Sequence, residues 1–336
     1  MTPVRRASIR DVAALAGVSV PTVSRVLTGA ARVSPEKVDR VHAAIDQLEY
    51  RPNGAARALV TGNHNIIVVL AGNTTFYGYA TTIRGIEEAA RTTGMMVVIA
   101  VIESEHDDHV TAAIRLALSQ PIAGIIVLNF DVVAGAAIHR IPKGIPLAVA
   151  SGPRISDRPH ALIDETKGGE VATNYLLSLG HKTVHHVSIP PAHEREDDRT
   201  QGWRTALTSA GIEPPEVIPA GWDPQSGYLI GKRIAHDRTI TAVLCGNDEI
   251  AMGVIRGARE DGRTIPDDLS VVGFDDHPLS GFWYPALTTV RQDFVTLGRS
   301  AFTLLWNLIQ GDPTPAESIT ETTLIVRESA ASPGAL

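Results

Sequence analysis

Between residues 62 and 330 the chain alternates short, nearly continuous apolar runs with longer segments in which apolar residues recur at helical spacing. Seven apolar runs predict buried strands, at residues 66–72, 96–102, 123–129, 146–151, 184–189, 242–246 and 269–276. The intervening segments predict helices, at residues 79–93, 109–118, 167–179, 200–210, 224–235, 249–261 and 294–310. This alternation is typical of parallel sheets covered by helices on both faces. A core of this length favours two lobes, with a ligand between them at the carboxyl ends of the strands.

The first fifty residues show three shorter amphipathic segments instead. Ser8 and Asp11 are spaced to cap a first helix, and Gly17 can take the left-handed conformation that ends it. A second helix is predicted over residues 20–27 and a third over residues 34–48. Two short helices joined by a tight glycine turn are typical of a helix-turn-helix, whose second helix enters the DNA major groove. A three-helix bundle of no special function is the alternative from this pattern.

Charge separates the two parts of the chain. The 336 residues carry a net charge of −7, but residues 1–60 hold nine Lys and Arg against five Asp and Glu, a net +4 that leaves −11 for the remainder. A basic segment on an acidic body indicates that only the N-terminal part meets a polyanion. The single cysteine, Cys245, excludes an intramolecular disulfide. No apolar run reaches the ~18 residues of a membrane span, and no apolar signal core follows the start, so we expect a cytoplasmic protein.

Enzyme and metal signatures are missing from the sequence. No G-x-G-x-x-G follows the first strand, and no phosphate loop, G-x-S-x-G or H-E-x-x-H occurs. We interpret residues 106–109 as the start of a solvated helix, and His181, His185 and His186 as core and rim residues. In the run 275–277 we expect one ligand-binding acid and one structural acid. No enzymatic activity, metal or cofactor is therefore expected.

A resemblance to a known family begins at the N-terminus. The run IRDVAALAGVSVPTVSRVLTG, followed by VSPEKVDRVHAAIDQLEYRPNGAARALVTG, resembles the N-terminal signature of the lactose-repressor/galactose-repressor (LacI/GalR) family of transcriptional regulators. The resemblance implies a helix-turn-helix headpiece at residues 1–50 and a hinge helix at 51–62. It also implies a two-lobed α/β core at residues 63–330, with parallel sheets like those of periplasmic binding proteins.

The family resemblance implies a set of DNA-contacting residues: Ser19, Val20, Pro21, Thr22, Ser24, Arg25, Asn53, Ala56 and Leu59. Val20 and Pro21 would occupy the positions that most strongly set operator preference. Their side chains offer only apolar contact, so Arg25 should carry much of the polar base readout. Thr22 and Ser24 can donate to phosphate oxygens.

Within the hinge, Leu59 matches the family residue that wedges between base pairs in the minor groove, with Ala56 beside it. Such a wedge costs a few kcal/mol of unstacking and yields bent DNA that contacts more protein. A solvated linker with a chance leucine is the alternative.

The resemblance extends into the core, with particular closeness to the branch that contains the lactose repressor. It is carried by GWDPQSGY, CGNDEIAMGVIRGARE, LSVVGFDDHPLSGFWYPALTTVRQDF and LGRSAFTLLWNLIQGD. Carried over, the sugar site comprises Ser151, Arg199, Trp222, Asn247, Asp275, Gln292 and Phe294. Arg199 and Asp275 can form strong directional bonds with hydroxyls, and Trp222 offers a flat face to a pyranose. Ser151 stands where that branch has an aspartate, and Asn129 is a further candidate contact.

The implied organisation is a homodimer of two-lobed chains. Lobe one is expected at residues 65–162 and 292–322, and lobe two at residues 163–291. The C-terminal residues 329–336 lack leucine heptads, so no tetramer-forming coiled coil is expected. The helix after Phe76, with Tyr77, Tyr79 and Ile83, is expected to line the dimer face.

Together these features predict a repressor that binds a near-palindromic operator under the control of a small sugar, with a galactoside as the leading candidate. The first alternative is the same regulator with a non-sugar effector, such as a nucleobase, a nucleoside or a phosphoprotein. A sugar-transport binding protein is disfavoured by the basic headpiece, and an enzyme by the missing phosphate loop and nucleophile.

Overall fold

The structure, a computed structural model, describes residues 7–28, 33–50, 64–151, 158–190 and 197–334. Its internal contacts divide the chain into an N-terminal unit, residues 1–64, and a core unit, residues 65–336.

Three described helices form the N-terminal unit: α1 (Ile9–Ala16), α2 (Val20–Thr28) and α3 (Pro35–Gln47). The predicted capping box is confirmed, because the Ser8 N–H donates to the Asp11 carboxylate at 2.8 Å and the Asp11 N–H donates to the Ser8 hydroxyl at 3.4 Å. Gly17 ends α1 in the predicted left-handed conformation, at φ 64°. The apolar faces of the three helices meet in a small core of Val12, Ala13, Ala16, Val23, Val41 and Ala44.

The first sheet of the core unit is entirely parallel, in the order β11-β5-β4-β3-β1-β2. Its strands are β1 (Ile66–Ala71), β2 (Met96–Val101), β3 (Gly124–Leu128), β4 (Leu147–Ala150), β5 (His160–Ile163) and β11 (Glu317–Thr320). Helices α4 (Tyr77–Thr92) and α11 (Phe294–Gln310) cover one face, and α5 (Asp107–Ala117) and α6 (Val132–Ile138) cover the other. Alternate residues of β1 serve the two faces, with Ile67 and Val69 toward α4 and α11 and Val68 and Leu70 toward α5 and α6.

The second sheet has the order β12-β10-β9-β8-β6-β7 and is parallel except for β12, which runs antiparallel to β10. Its strands are β6 (His185–Ser188), β7 (Ile218–Pro219), β8 (Ala242–Cys245), β9 (Ser270–Asp275), β10 (Thr288–Arg291) and β12 (Thr323–Ile325). Helices α7 (Glu165–Ser178) and α8 (Asp198–Ser209) cover one face. Helices α9 (Pro224–Ala235) and α10 (Asp248–Glu260) cover the other.

All seven predicted apolar runs contain a strand whose ends lie within one residue of the prediction. Five described strands were missed, namely β5, β7, β10, β11 and β12, and so was helix α6. These strands have only two to four residues, and several lie at sheet edges where polar residues are tolerated. The chain passes between the sheets three times, after β5, after β10 and after β11.

Glycines bring two pairs of helices into backbone contact. A Cβ added at Gly227 or Gly231 of α9 would collide with α10, and one added at Gly253 or Gly257 of α10 would collide with α9. Helices α4 and α11 meet in the same way, because the backbone of each approaches a glycine of the other, Gly85 and Gly298. These glycines serve packing and not flexibility.

The described part of the chain contains neither a membrane-spanning helix nor a cluster of metal-binding side chains. No helix there combines the length and apolar character needed to cross a lipid bilayer. No group of three or more His, Cys, Asp or Glu side chains there is arranged to hold a metal ion.

Candidate functional site

The carboxyl ends of the strands in both sheets line one cleft, with about 1040 Å³ of empty volume that opens to solvent. Asn129 and Ser151 follow β3 and β4 of the first sheet, and Asn247 and Asp275 lie at the ends of β8 and β9 of the second. In each sheet the strand order reverses beside the first strand, β1 or β6, and parallel α/β sheets bind ligands at such switch points. Six of the seven sugar-site residues from the sequence line the cleft, namely Ser151, Arg199, Trp222, Asn247, Asp275 and Phe294.

Arg199 is buried in the first turn of α8 and already holds two protein partners. Its Nη2 donates to Glu165 Oε1 at 2.9 Å, and its Nη1 donates to the Gly246 carbonyl. Nη1 lies farther, 3.7 Å, from Asp275 Oδ1, and the Phe274 ring centre lies 4.6 Å from the guanidinium carbon. The sequence did not predict the ion pair with Glu165, which takes up much of the guanidinium that was assigned to ligand hydroxyls.

Asp275 ends β9 in a strained conformation. Its φ of 113° lies in a region that residues other than glycine rarely adopt, and such strain concentrates at functional sites. Gln292 Nε2 donates to Asp275 Oδ1 at 2.6 Å from behind, so Gln292 positions the carboxylate and is not itself in the cleft lining. Burial raises the pKa of Asp275 well above its ordinary value, and the Arg199 guanidinium acts in the opposite direction. A ligand hydroxyl that donates to Asp275 would therefore stabilise its charged form.

Asn247 fixes the position of Trp222. Asn247 caps α10, since its Oδ1 accepts from the Ile250 N–H at 2.7 Å, while its Nδ2 donates to the Trp222 carbonyl at 3.1 Å. The Trp222 ring stacks on the Phe76 ring, with 6.0 Å between centroids and 30° between planes. Phe76 precedes α4 beside the first sheet, so this stack joins the two lobes along one wall of the cleft. Its exposed faces can pack against the C–H face of a sugar.

The lobe-one side of the cleft contains an unsatisfied amide. Asn129 is fully buried, and neither its Oδ1 nor its Nδ2 has a hydrogen-bond partner in the protein. Because buried polar groups almost always find partners, Asn129 is positioned to receive them from a ligand. Ser151 follows β4, the strand that pairs with β3, and has a φ of 65°.

Tyr77 and Tyr79 do not line a dimer face, and that prediction is wrong for both residues. Tyr79 is 3% exposed, and its hydroxyl donates to the Asp131 carboxylate. The Tyr77 ring contacts His277 at 4.9 Å and Phe294 at 5.9 Å, so it faces the cleft. Tyr77 and Tyr79 are two residues apart and point to different sides of α4, so they could not line one face together.

A buried carboxylate, Asp248, holds the loop that follows Asp275. It accepts hydrogen bonds from the His277 N–H at 2.7 Å, the Ser280 hydroxyl at 2.6 Å and the Thr289 hydroxyl at 2.5 Å. Burial raises the pKa of Asp248 to about 7. The sequence offered no signal for this network, because its members lie up to 41 residues apart.

The cleft also contains residues that the sequence analysis did not assign, chiefly Glu165, Glu249, Phe76 and Phe130. Glu165 follows β5, a strand too short to be recognised. Phe130 follows Asn129 at the end of a strand that was predicted, so its position was available from the sequence.

In the N-terminal unit, α2 presents the residues predicted to contact DNA. Ser19, Val20, Pro21 and Arg25 are exposed, and Thr22 and Ser24 are half-buried. The Ser19 and Thr22 hydroxyls share a hydrogen bond of 2.9 Å. The opposite side of α2 is anchored by Val23 in the small core that the three helices share. The hinge residues Asn53, Ala56 and Leu59 lie outside the described residues.

A helix-turn-helix joined to a two-sheet core with a cleft between its lobes defines a class of protein, the DNA-binding regulators that also bind a ligand. Residues 8–53 match the family described as bacterial regulatory proteins, lacI family, and residues 173–330 match the periplasmic binding protein-like domain. The HTH-type transcriptional repressor PurR of Pectobacterium carotovorum subsp. carotovorum (strain PC1) is 34% identical, with 97% of each chain covered. The chain therefore belongs to the LacI family and is a DNA-binding transcriptional repressor. The relatives it matches are transcriptional regulators and not enzymes.

Solved structures agree over nearly the whole chain. The lac repressor dimer bound to operator and the anti-inducer ONPF matches with a TM-score of 0.89 at 27% identity, covering 97% of this chain and 100% of that one. A complex of the transcriptional regulator CelR with cellobiose matches with a TM-score of 0.71 at 28% identity, covering 96% and 100%.

Proposed function

We propose that this repressor binds a near-palindromic operator as a homodimer. Its affinity for the operator changes when a small sugar, with a galactoside as the leading candidate, binds in the cleft. The observation that carries the proposal is the set of groups facing the cleft. The Asp275 carboxylate can accept hydrogen bonds, Asn129 offers both a donor and an acceptor, and Trp222 offers an apolar face. Adjacent hydroxyls on an otherwise apolar ring meet these requirements together.

The similar structures support a sugar without identifying it. One carries cellobiose and another the anti-inducer ONPF, so the family fold accommodates more than one ligand. The effector acts on DNA binding only if it binds one of two conformations more tightly than the other. The Trp222–Phe76 stack and the Tyr77–His277 contact both join the lobes and are the contacts that such a change would alter.

For DNA, we assign base contacts to Val20, Pro21 and Arg25 and phosphate contacts to Ser19, Thr22 and Ser24. Exposure of Ser19, Val20, Pro21 and Arg25 supports the assignment. Thr22 and Ser24 are half-buried. Leu59, with Ala56 and Asn53, is assigned to the minor groove from the family resemblance alone. Operator affinity should fall steeply with salt, by about 0.9 in log–log slope per phosphate neutralised.

For the dimer, the support is an apolar edge on the first sheet. Strand β2 lies at the sheet edge and exposes Met96, Val98, Ile99 and Val101, each 41–56% exposed. Exposed apolar edge strands are unusual in a monomer and typical of association surfaces. Ile99→Lys should shift the chain toward monomer in analytical ultracentrifugation and weaken operator binding.

The test of the function is a thermal-shift panel of neutral sugars on the full chain, followed by operator titration with each sugar that binds. A ligand at 100 times its Kd stabilises by ~2.7 kcal/mol, which raises the melting temperature measurably. A shift that Asp275→Asn clearly reduces, together with a change in operator affinity, supports the proposal. A sugar that shifts the melting temperature and leaves operator affinity unchanged would refute control by that ligand.

A further inference from the structure

The charge of the cleft is strongly one-sided. Among the described residues that line it, five are acidic and one, Arg199, is cationic. The acidic residues are Glu165, Asp197, Asp198, Glu249 and Asp275. A ligand with a carboxylate or phosphate would bring a further negative charge into this partly desolvated space, where like charges repel more strongly than in water.

Arg199 is already paired with a carboxylate of the chain, which makes it a poor anchor for such an anion. Glu165 holds Nη2 and the Gly246 carbonyl holds Nη1, while the Phe274 ring covers the guanidinium carbon. The Nε N–H is buried without a protein partner, and Nη1 and Nη2 each carry a second N–H. The buried Arg199 cation is therefore already balanced by a carboxylate of the chain itself, and one N–H of each terminal nitrogen is taken.

Helix N-termini are the other usual anion sites, and several that border the cleft are closed by side chains. Asp197 accepts from the Thr200 N–H at 3.0 Å at the start of α8, and Asn247 caps α10 as described. Glu165 adds a negative charge to the first turn of α7, where Asp164 is the cap. Helix α4 has neither a side-chain cap nor an acid in its first turn, but aromatic rings surround its start. The positive ends of α7, α8 and α10 therefore already face chain oxygens.

We infer that Glu165 is a charge-selectivity residue: by holding Arg199, it restricts the effector to an uncharged or amine-bearing glycoside and excludes uronates and sugar phosphates. This inference rests on the proposed sugar-binding function and narrows it. Asp275 lies farther from Arg199 than Glu165 does, at 3.7 Å against 2.9 Å, and can accept from a ligand hydroxyl or ammonium group. Glu165 acts through Arg199 and need not touch the ligand.

The test compares matched sugars on the full chain by calorimetry. Methyl β-galactoside, the corresponding uronate and the corresponding 2-amino sugar share one ring, and the gluco series provides a second matched set. We expect the neutral and amino forms to bind at least about 100-fold more tightly than the uronate, from Coulomb repulsion in a site of intermediate dielectric. In Glu165→Gln, the ratio of the uronate Kd to the neutral-sugar Kd, called the gap below, should fall at least tenfold.

Two further variants separate release of Arg199 from a general change in charge. Glu249→Gln removes a cleft charge without touching the ion pair and should narrow the gap less than Glu165→Gln. Glu170→Gln makes the same change on α7 at a residue paired with Lys167 outside the cleft, and should leave the gap unchanged. Operator binding without sugar shows that each variant is folded.

The outcomes are distinct. A wild-type protein that binds a uronate as tightly as its neutral counterpart overturns the inference and leaves the sugar function intact. A gap that Glu165→Gln does not narrow, or that Glu249→Gln narrows equally, overturns the role of Glu165. Absence of binding by every sugar refutes the proposed function itself, and the inference falls with it.

Discussion

Replacement of the buried Asp248 by asparagine should change how the stability of the core depends on pH. Asp248 is inaccessible to solvent, and its three hydrogen bonds to the loop after β9 and to β10 do not offset the cost of burying its charge. Its pKa is therefore about 7 in the folded protein, compared with about 3.9 in an unfolded chain. The folded state binds the proton more tightly, so the free energy of unfolding is highest at acidic pH and falls as the pH rises through 7.

The magnitude follows from the difference in pKa. About three pKa units at 1.36 kcal/mol per unit amount to about 4 kcal/mol in total, of which about 2.5 kcal/mol is lost between pH 5 and pH 8. The amide in Asp248→Asn cannot titrate, so this loss disappears. Relative to wild type, the variant should gain about 2.5 kcal/mol across that range. Asp275 and Asp276 interact electrostatically with Asp248, and neither is substituted in the comparison.

The assay is urea unfolding of both proteins at pH 5, 6, 7 and 8, with Asp312→Asn, an exposed carboxylate, as the control. The control should follow the wild-type profile at every pH. If the difference between Asp248→Asn and wild type stayed constant from pH 5 to pH 8, Asp248 would not be titrating in the folded state and the argument from burial would be refuted.

Three other predictions test separate parts of the molecule. Asp275→Asn should weaken binding of a neutral sugar by about 1.5–3 kcal/mol (on the order of 10- to 150-fold), which is the value of a hydrogen bond to a charged group. Calorimetry measures this loss, and fluorescence anisotropy should show that operator binding without sugar is unchanged. Arg25→Ala should cost about 1–3 kcal/mol in operator affinity and relax specificity at one base pair, and an equal loss on all sequences would contradict base readout. Gly253→Ala should destabilise the core by at least about 1–3 kcal/mol through overpacking against α9, whereas Gly144→Ala, with open space around it, should not.

The sequence predicted the strands whose apolar runs are continuous, because a strand buried on both faces leaves an unmistakable run such as IIVVLA in β1. It failed for strands such as β11, ESIT, whose hydrogen bonds to β5 depend on a distant part of the chain and not on its own side chains. In the same way, the predicted cleft residues include those that end strong strands, Asn247 and Asp275. Glu165 was missed because its role comes from pairing with Arg199, 34 residues away.

The packing partners of a helix were also beyond the sequence. Tyr77 and Tyr79 are two residues apart in α4 and point to different sides of it, and α11, which packs on α4, begins more than 200 residues later. Local periodicity shows that a face is buried and does not show what buries it.

The position of two edge strands near the C-terminal end of the sequence affects how the protein folds during synthesis and how it tolerates truncation. Both sheets are completed by the last part of the chain, since β11 closes one edge of the first sheet and β12 closes one edge of the second. Beyond them, the Ser329 hydroxyl donates to the Val271 carbonyl at 2.5 Å, and the Ala331 carbonyl accepts from the Ser270 hydroxyl at 2.9 Å. Neither lobe can therefore finish folding while the ribosome still holds these residues. A nonsense mutation soon after α11 would strip an edge from both sheets at once, and the shortened product would carry two open edges prone to aggregation.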